Sequence, residues 1–274
     1  MALTDDLRKY ISEHGRPEAP KFSESRVVIV GEYHGHAAIA RLNVSLRLLR
    51  HLLRDGRYRF FGNESFLNAG PIRRGVREYL GQGKLPPPFN PDDGDISREE
   101  KGKRFFTNAF KPLLDDLRAD PKYVLHIGSR GTRDARDPRI AQHFFDEMLD
   151  RGVTPRTPGV LLLGAAHAAA APFDKGQTTT RMYLERKGYD CVSVLVLTDS
   201  TRDGQADDRV VATTGKVLES VRLTSLIGSG SVTVSTRHQL VKGPPSPFHN
   251  VRLEGSDSGK ALAAQFEYLM LART

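Results

Sequence analysis

Short apolar runs separated by polar stretches recur along the first 200 residues of the chain. Residues 26–30 are mostly β-branched and end at Gly31, a pattern typical of a strand that is buried on both faces. The aromatic run 57–66 predicts a second strand. The other runs that we interpret as strands lie at 122–127, 160–163 and 191–197.

Between these runs, apolar side chains are spaced as on one face of a helix. Leucine and isoleucine recur at three- and four-residue intervals over residues 39–53, and Gly56 follows as a stop signal. Another helix begins at Asp137, which we interpret as an N-cap because Pro138 follows it in the first turn. A further helix covers residues 177–187. Each helix therefore falls between two predicted strands.

This alternation predicts a single α/β domain over residues 1–274, with a central, mostly parallel β-sheet flanked by helices. A helical and Pro-rich insertion at about 68–121 follows the second strand, and we expect it to act as a lid at the mouth of a pocket. A C-terminal extension, about 198–274, completes the sheet in an order that we do not predict. Its last run, 262–271, fits a helix or a strand by period alone.

Composition adds limits to this picture. Hydrophobic residues make up 38% of the 274 and charged residues 27%, as in globular proteins. No run is long enough to span a membrane, and the N-terminus lacks the layout of a secretory signal, so we expect a cytoplasmic protein without a membrane partner. Because Cys191 is the single cysteine, any metal must be held by histidine and carboxylate.

The net charge of +8 permits an anionic partner, and residues 41–77 carry nine arginines. Arg47, Arg50 and Arg54 recur opposite the leucine stripe, as on the solvated face of a helix. No RNA- or DNA-binding signature is present, so we do not expect a nucleic-acid partner. Dinucleotide-binding, P-loop and serine-hydrolase motifs are absent from the sequence as well.

Two Gly-x-x-His motifs directly follow predicted strands. The first runs from Gly31 to His34 and the second from Gly164 to His167. Because ligands bind where the carboxyl ends of parallel strands converge, we expect the two histidines to share one cleft. Glu64 lies in the aromatic second strand, where an unpaired carboxylate would be costly, and it therefore needs a partner.

These residue types fit two mechanisms. His34, His167 and Glu64 could hold a divalent metal such as zinc, manganese or cobalt and leave one position open for water, with Glu32 as an alternative carboxylate. Without a metal, a histidine that is oriented by a carboxylate can deprotonate water for attack on an ester or amide. The sequence leaves both mechanisms open. Arg136 is a candidate for binding an anionic group of the substrate.

Taken together, these segments resemble the erythromycin-esterase/ChaN-like superfamily, to which the TIKI and TraB proteins are related. The resemblance covers about residues 25–197 and the last ten or so, where it favours a closing strand. It rests on Gly31-Glu32-Tyr33-His34-Gly35, on the strand that bears Glu64, on Arg136-Asp137-x-x-Ile140-Ala141 and on Leu163-Gly164-Ala165-Ala166-His167.

The resemblance implies an α/β fold with a cleft lined by the two motifs and by acidic residues. Some members hydrolyse macrolide esters with His-activated water, TIKI proteins are metal-dependent proteases, and ChaN is a haem-binding lipoprotein. Carried over by position, the catalytic residues are Glu32, His34, Glu64 and His167. Arg136 matches more weakly, and we place Tyr33 and His36 with it as substrate-binding residues.

Two departures from the family pattern argue against a macrolide esterase and a haem-uptake lipoprotein. His34 follows Glu32 by two positions, as in ChaN-like members, whereas the esterases space this pair by three. The chain is also shorter than the esterases and carries no lipoprotein signal.

The leading hypothesis is therefore a hydrolase that cleaves an ester or amide bond in a small molecule or peptide by means of water activated by His34 or by a metal. The alternative is a non-enzymatic protein that binds haem or another ligand through His34, His167 and Tyr33. A divalent metal, haem and no cofactor are all compatible with the sequence, and the oligomeric state is not predicted.

Overall fold

The structure is a computed structural model, and it describes the greater part of the chain. The described residues are 3–17, 22, 27–32, 38–63, 77–83, 110–120, 123–126, 142, 144, 146–148, 150–172, 178–199, 209–212, 220–237, 245–254 and 260–273.

Ten strands are described. They are β1 Val27–Glu32, β2 Phe60–Asn63, β3 Tyr123–His126, β4 Gly159–Gly164, β5 Cys191–Thr198, β6 Arg209–Ala212, β7 Ser220–Arg222, β8 Gly230–Ser235, β9 Val251–Leu253 and β10 Tyr268–Arg273.

Seven of these strands form the main sheet, in the order β3-β2-β4-β1-β5-β10-β8. All neighbours are parallel except β8, which runs antiparallel to β10. A separate antiparallel sheet has the order β7-β6-β9. The α/β fold with a mostly parallel central sheet that the sequence predicts is therefore confirmed.

Helices flank the main sheet. They are α1 Leu3–His14, α2 Ala38–Leu53, α3 at 77–82, α4 at 110–119, α5 at the described positions of 142–150, α6 Ala165–Ala168, α7 Thr180–Arg186 and α8 Leu262–Gln265. The C-terminal run that period alone left open contains both α8 and β10. Within the described residues, no helix is long and apolar enough to cross a membrane.

Side chains of the central strands alternate between two hydrophobic cores. On β1, Val30 belongs to the core that contains Leu49 of α2, and we call this side of the sheet the α2 face. Ile29 belongs to the opposite core, with Ala165 of α6, and we call that side the α6 face. Because β1 is buried along its whole length, it reads in the sequence as a continuous apolar run.

Part of the predicted insertion packs on α2. Phe110 and Leu114 of α4 are fully buried in the core of the α2 face. Arg50 donates from Nε to Oδ2 of Asp116 at 2.6 Å, and Arg54 Nη2 lies 3.3 Å from the other carboxylate oxygen. The basic side of α2 therefore binds the insertion as well as facing solvent. The role of the insertion as a lid stays a prediction.

Candidate functional site

The two Gly-x-x-His motifs begin side by side. β1 and β4 are hydrogen-bonded neighbours in parallel, and their register places Gly31 opposite Leu163 and Glu32 opposite Gly164. Adjacent parallel strands lie about 4.8 Å apart. The structure therefore places the starts of both motifs at the same carboxyl edge of the sheet, one strand apart.

The chain leaves these two strands toward opposite faces. After β1 it forms α2, which packs on one face, and after β4 it forms α6, which packs on the other. Where neighbouring strands send their connections to opposite faces, a crevice opens at the carboxyl edge, and this is where open α/β sheets bind ligands. We call the space between the ends of β1 and β4 the β1/β4 crevice.

Gly31 brings α6 close to β1. A Cβ atom at this position would lie 3.0 Å from the Cβ of Ala168 and 3.4 Å from the Cα of Ala165. A larger residue would therefore push the short helix away from the strand. His167 lies between these two alanines, so its backbone sits directly beside the end of β1, and its side chain is 9% exposed.

Three hydrogen bonds hold the chain just after His167. Ser193 of β5 donates from its hydroxyl to the carbonyl of Ala168. Thr179 donates from its hydroxyl to the carbonyl of Ala169 at 2.7 Å, and the amide of Ala170 donates to the carbonyl of Gln265 at 2.8 Å. The backbone that carries the imidazole is therefore tied to β5, to the residue before α7 and to the last residue of α8.

Ser193 is itself held by a buried ion pair. Arg181 donates to the Ser193 hydroxyl at 3.0 Å and to both carboxylate oxygens of Glu267, at 2.6 and 2.9 Å. Glu267 also accepts from the amide of Ser193 at 2.9 Å and lies 2.7 Å from Nη1 of Arg237. Because Arg181 binds both oxygens of Glu267, the pair holds both side chains, and Ser193 with them, in one position.

Both partners have shifted pKa values. Burial alone would raise the pKa of Glu267, but the hydrogen bond and charge of Arg181 outweigh burial, so that the pKa lies below its ordinary value. Burial alone would lower the pKa of Arg181, and the same pairing raises it instead. Both groups are therefore charged at neutral pH.

The α2 face of the same edge carries a layer of buried polar side chains. Glu32 ends β1 and is 6% exposed, and Asn63 ends β2 and is fully buried. Glu32 follows Val30 by two positions and Asn63 follows Phe61 by two positions. Because side chains alternate along a strand, both lie on the α2 face with these core residues. Glu32 and the start of α6, the helix that carries His167, thus lie at the same carboxyl edge of the sheet, on opposite faces.

Sequence reasoning missed three members of this layer. They are Asn63, Ser45 of α2 and Thr198 at the end of β5, all of which are 1% exposed or less. Asn63 and Thr198 are the polar residues that end two apolar runs. A polar residue at the end of such a run was the feature of the sequence that could have identified them as edge residues. Ser45 interrupts the leucine-rich side of α2, a pattern that periodicity alone does not single out.

Several predicted site residues lie outside the described residues, and their roles stay predictions. They are Tyr33, His34, His36, Glu64 and Arg136. Cys191 is buried in β5, and burial raises the pKa of its thiol, so the thiol stays protonated and unreactive at neutral pH. Among the residues that the structure describes, no group of three or more His, Cys, Asp or Glu could hold a metal ion.

Comparison with known proteins yields no match to any family model and none to a curated protein. Among solved structures, the chain is similar to a succinoglycan biosynthesis protein, with a TM-score of 0.56 and 11% identity over 100% of this chain and 97% of the other. It is also similar to a protein from Bacillus cereus, with a TM-score of 0.51 and 12% identity over 98% and 97%. At these identities the likeness shows the fold alone.

Proposed function

We propose that the protein is a hydrolase that activates water in the β1/β4 crevice and cleaves an ester or amide bond in a small molecule or peptide. The observation that carries the proposal is the register of β1 and β4. It sets Glu32 opposite Gly164, and Gly164 is the residue three positions before His167. This register supports the proposal because it brings the end of β1 and the start of α6, which carry a carboxylate and an imidazole, to the edge of the sheet where ligands bind.

The chemistry needs a base and a group that orients it. In the proposed reaction the imidazole of His34 takes a proton as the water oxygen bonds to the carbonyl carbon, and it then gives that proton to the leaving oxygen or nitrogen. An acid and an alcohol or amine are released. In this proposal Glu32 and Glu64 hold the imidazoles in one tautomer, and His167 supplies the second imidazole.

A divalent metal is compatible with this proposal. Its candidate ligands are His34, His167 and Glu64, of which His167 alone lies in the described residues. Two imidazoles and a carboxylate form a donor set that zinc accepts. When bound, such an ion lowers the pKa of a coordinated water. The residues themselves still orient the substrate and move the proton.

The test uses the purified full chain with p-nitrophenyl acetate, p-nitrophenyl butyrate and alanine p-nitroanilide. Each assay is run before and after EDTA treatment, and after zinc, manganese or cobalt is added back. His34→Ala should lower kcat/KM by about 100-fold or more. The matched control is His51→Ala, because His51 is exposed on α2.

The mechanism is wrong if His34→Ala retains the activity of the unaltered chain. A chain that hydrolyses none of these compounds but develops a Soret band on titration with haem would favour the ligand-binding alternative. Loss of activity with EDTA and its return with one ion would identify the metal-dependent form of the mechanism.

A further inference from the structure

The helix that carries His167 is too short to fix its own position. α6 has four residues, Ala165–Ala168, and its N-cap is Gly164, which has no side chain to bond the first amides of the helix. Isolated helices of fewer than about 12 residues are marginal in water. The position of His167 therefore depends on the contacts that α6 makes with the rest of the protein.

Two buried hydroxyls bind the two consecutive carbonyls that follow His167. Ser193 of β5 donates to the carbonyl of Ala168, and Thr179 donates to the carbonyl of Ala169 at 2.7 Å. Ser193 is 0% exposed and Thr179 is 2% exposed. Because the two hydroxyls come from different elements, they fix the end of α6 at two points.

α7 holds both hydroxyls in turn. Thr179 is the N-cap of α7, and its hydroxyl accepts from the amide of Met182 at 3.1 Å. Arg181 of the same helix donates to the hydroxyl of Ser193 at 3.0 Å. Each hydroxyl therefore has one bond to the end of α6 and one bond to α7, so that the two helices are joined through it.

Ser193 interrupts an apolar side of β5. Side chains alternate along a strand, and Cys191 and Leu195, which lie on the same face as Ser193, belong to the α6-face core. Alanine at 193 would continue this core without burying a hydroxyl. Apolar residues of similar volume often replace a buried ion pair such as Arg181–Glu267 with no loss of stability. The stability of the core alone therefore does not account for these polar groups.

We propose that Ser193 and Thr179 are positioning residues for His167, and that the Arg181–Glu267 pair keeps Ser193 in place for this role. The inference rests on the proposed function, because the two hydroxyls act on the reaction through His167. By binding the two carbonyls after this residue, they keep α6 and its imidazole in one orientation. A group that only orients another affects turnover more than binding, so its loss should lower kcat and leave KM nearly unchanged.

The kinetic test uses Ser193→Ala with p-nitrophenyl acetate. We expect kcat to fall by about tenfold, because the imidazole of His167 is no longer held in place. The matched control is Ser246→Ala, since Ser246 is also fully buried and its hydroxyl accepts from the amide of Phe248 at 3.3 Å. This control should lower the midpoint of thermal unfolding, as Ser193→Ala does, and leave kcat as it is.

The same substitution in a His167→Ala background separates positioning from a general loss of stability. If Ser193 acts through His167, Ser193→Ala should cause no further loss of kcat once the imidazole is absent. A tenfold loss in both backgrounds, or an unchanged kcat in Ser193→Ala alone, would overturn the inference.

A second readout does not depend on turnover. It is the imidazole Cε1–Hε1 signal of His167 in NMR spectra of the EDTA-treated chain, assigned by its loss in His167→Ala. Ser193→Ala should broaden this signal by exchange between orientations on the microsecond-to-millisecond timescale, and Ser246→Ala should not. Thr179→Val should broaden it as well, whereas Thr179→Ser, which keeps the hydroxyl, should leave it sharp.

The two readouts separate this inference from the proposed function. A chain that hydrolyses no ester overturns the proposed function, while the imidazole signal still tests whether the hydroxyls fix His167. A sharp signal in Ser193→Ala, or equal signals in Thr179→Val and Thr179→Ser, would contradict the inference even if His34→Ala abolishes hydrolysis. If Ser193→Ala does not fold, the comparison of the two Thr179 variants decides the question.

Discussion

At the scale of single residues, the packing around the main sheet depends on positions that lack a side chain as much as on those that carry one. Gly31 allows α6 to lie against β1, and Gly159 allows the ring of Phe60 to cross the start of β4, since a Cβ there would lie 2.2 Å from that ring. Both are close approaches that no larger residue could make without displacing a neighbour.

Gly31→Ala tests the first of these contacts. The added methyl group would lie 3.0 Å from the Cβ of Ala168, so α6 must shift and carry His167 with it. We expect a loss of about 1–3 kcal/mol in the free energy of unfolding, measured in urea, and a lower kcat/KM. Gly56→Ala is the control, because no heavy atom lies within 4 Å of the added carbon. Equal effects at the two glycines would contradict the close approach.

The Arg181–Glu267 pair predicts a pH dependence of stability. The pKa of Glu267 is lower in the folded protein than its ordinary value of 4.5, so the carboxylate stabilises the fold above that pH and ceases to do so as the pH falls through the folded pKa. Glu267→Gln should cost about 3 kcal/mol at pH 7, because it removes the buried partner of Arg181 and leaves only the more exposed carboxylate of Glu185.

Urea unfolding at pH 7 and in steps down to pH 3 measures this effect. The difference between the unaltered chain and Glu267→Gln should shrink as the pH drops below about 4.5. Glu254→Gln, at an exposed position, is the control and should change stability by less than about 0.5 kcal/mol. A difference that is constant over this range would show that the charge of Glu267 does not stabilise the fold.

At the scale of elements, the insertion is attached to α2 by charge as well as by apolar packing. Asp116 lies between Arg50 and Arg54, and the hydrogen bond from Arg50 lowers the pKa of Asp116. On α4, Lys111 and Tyr79 of α3 both donate to Asp115. Within the described residues, α3 is therefore bonded to α4, and α4 is bonded to α2.

Asp116→Ala should loosen α4. Because both arginines are partly exposed, we expect a cost of about 1 kcal/mol that decreases with added salt. Hydrogen exchange of the amides at 113–119 should become faster in this variant. Arg47→Ala, at an exposed position of α2, should leave those amides unchanged. Equal exchange rates in Asp116→Ala and the unaltered chain would contradict attachment by this ion pair.

Local sequence patterns predicted a helix or strand well where a single local feature, such as burial on both faces or a capping residue, determines it. β1, β4 and β5 are apolar runs buried on both faces, and α7 is bounded by the side chain of Thr179, which accepts from the amide of Met182, and by Gly188 at φ 86°. The order of strands was not predicted, because insertion of β4 between β2 and β1 depends on contacts far apart in the chain.

The places of two candidate residues in the fold were predictable to a similar degree. A motif after a strand indicates an edge residue, and Glu32 and His167 lie at the carboxyl edge where the motifs suggested. Thr198 and Ser45 could not be found in this way, since a single serine or threonine in an apolar run carries no periodic signal. Their burial and the lack of a partner among the described residues emerge only in three dimensions.

At the scale of the whole molecule, the fold brings two distant segments together at one place. Residues 27–32 and 159–168 meet because β4 returns to lie beside β1, and their connections then diverge to opposite faces. The catalytic proposal requires that Glu32 and His167 act as one unit across this crevice.

A double-mutant cycle on kcat/KM for p-nitrophenyl acetate tests that requirement most directly. Glu32→Gln and His167→Ala should each lower kcat/KM by about 100-fold, and the double variant should be little worse than the more damaging single variant, since residues that act as a unit are strongly non-additive. Losses that multiply to about 10,000-fold, or a single variant with full activity, would show that the two residues do not work together.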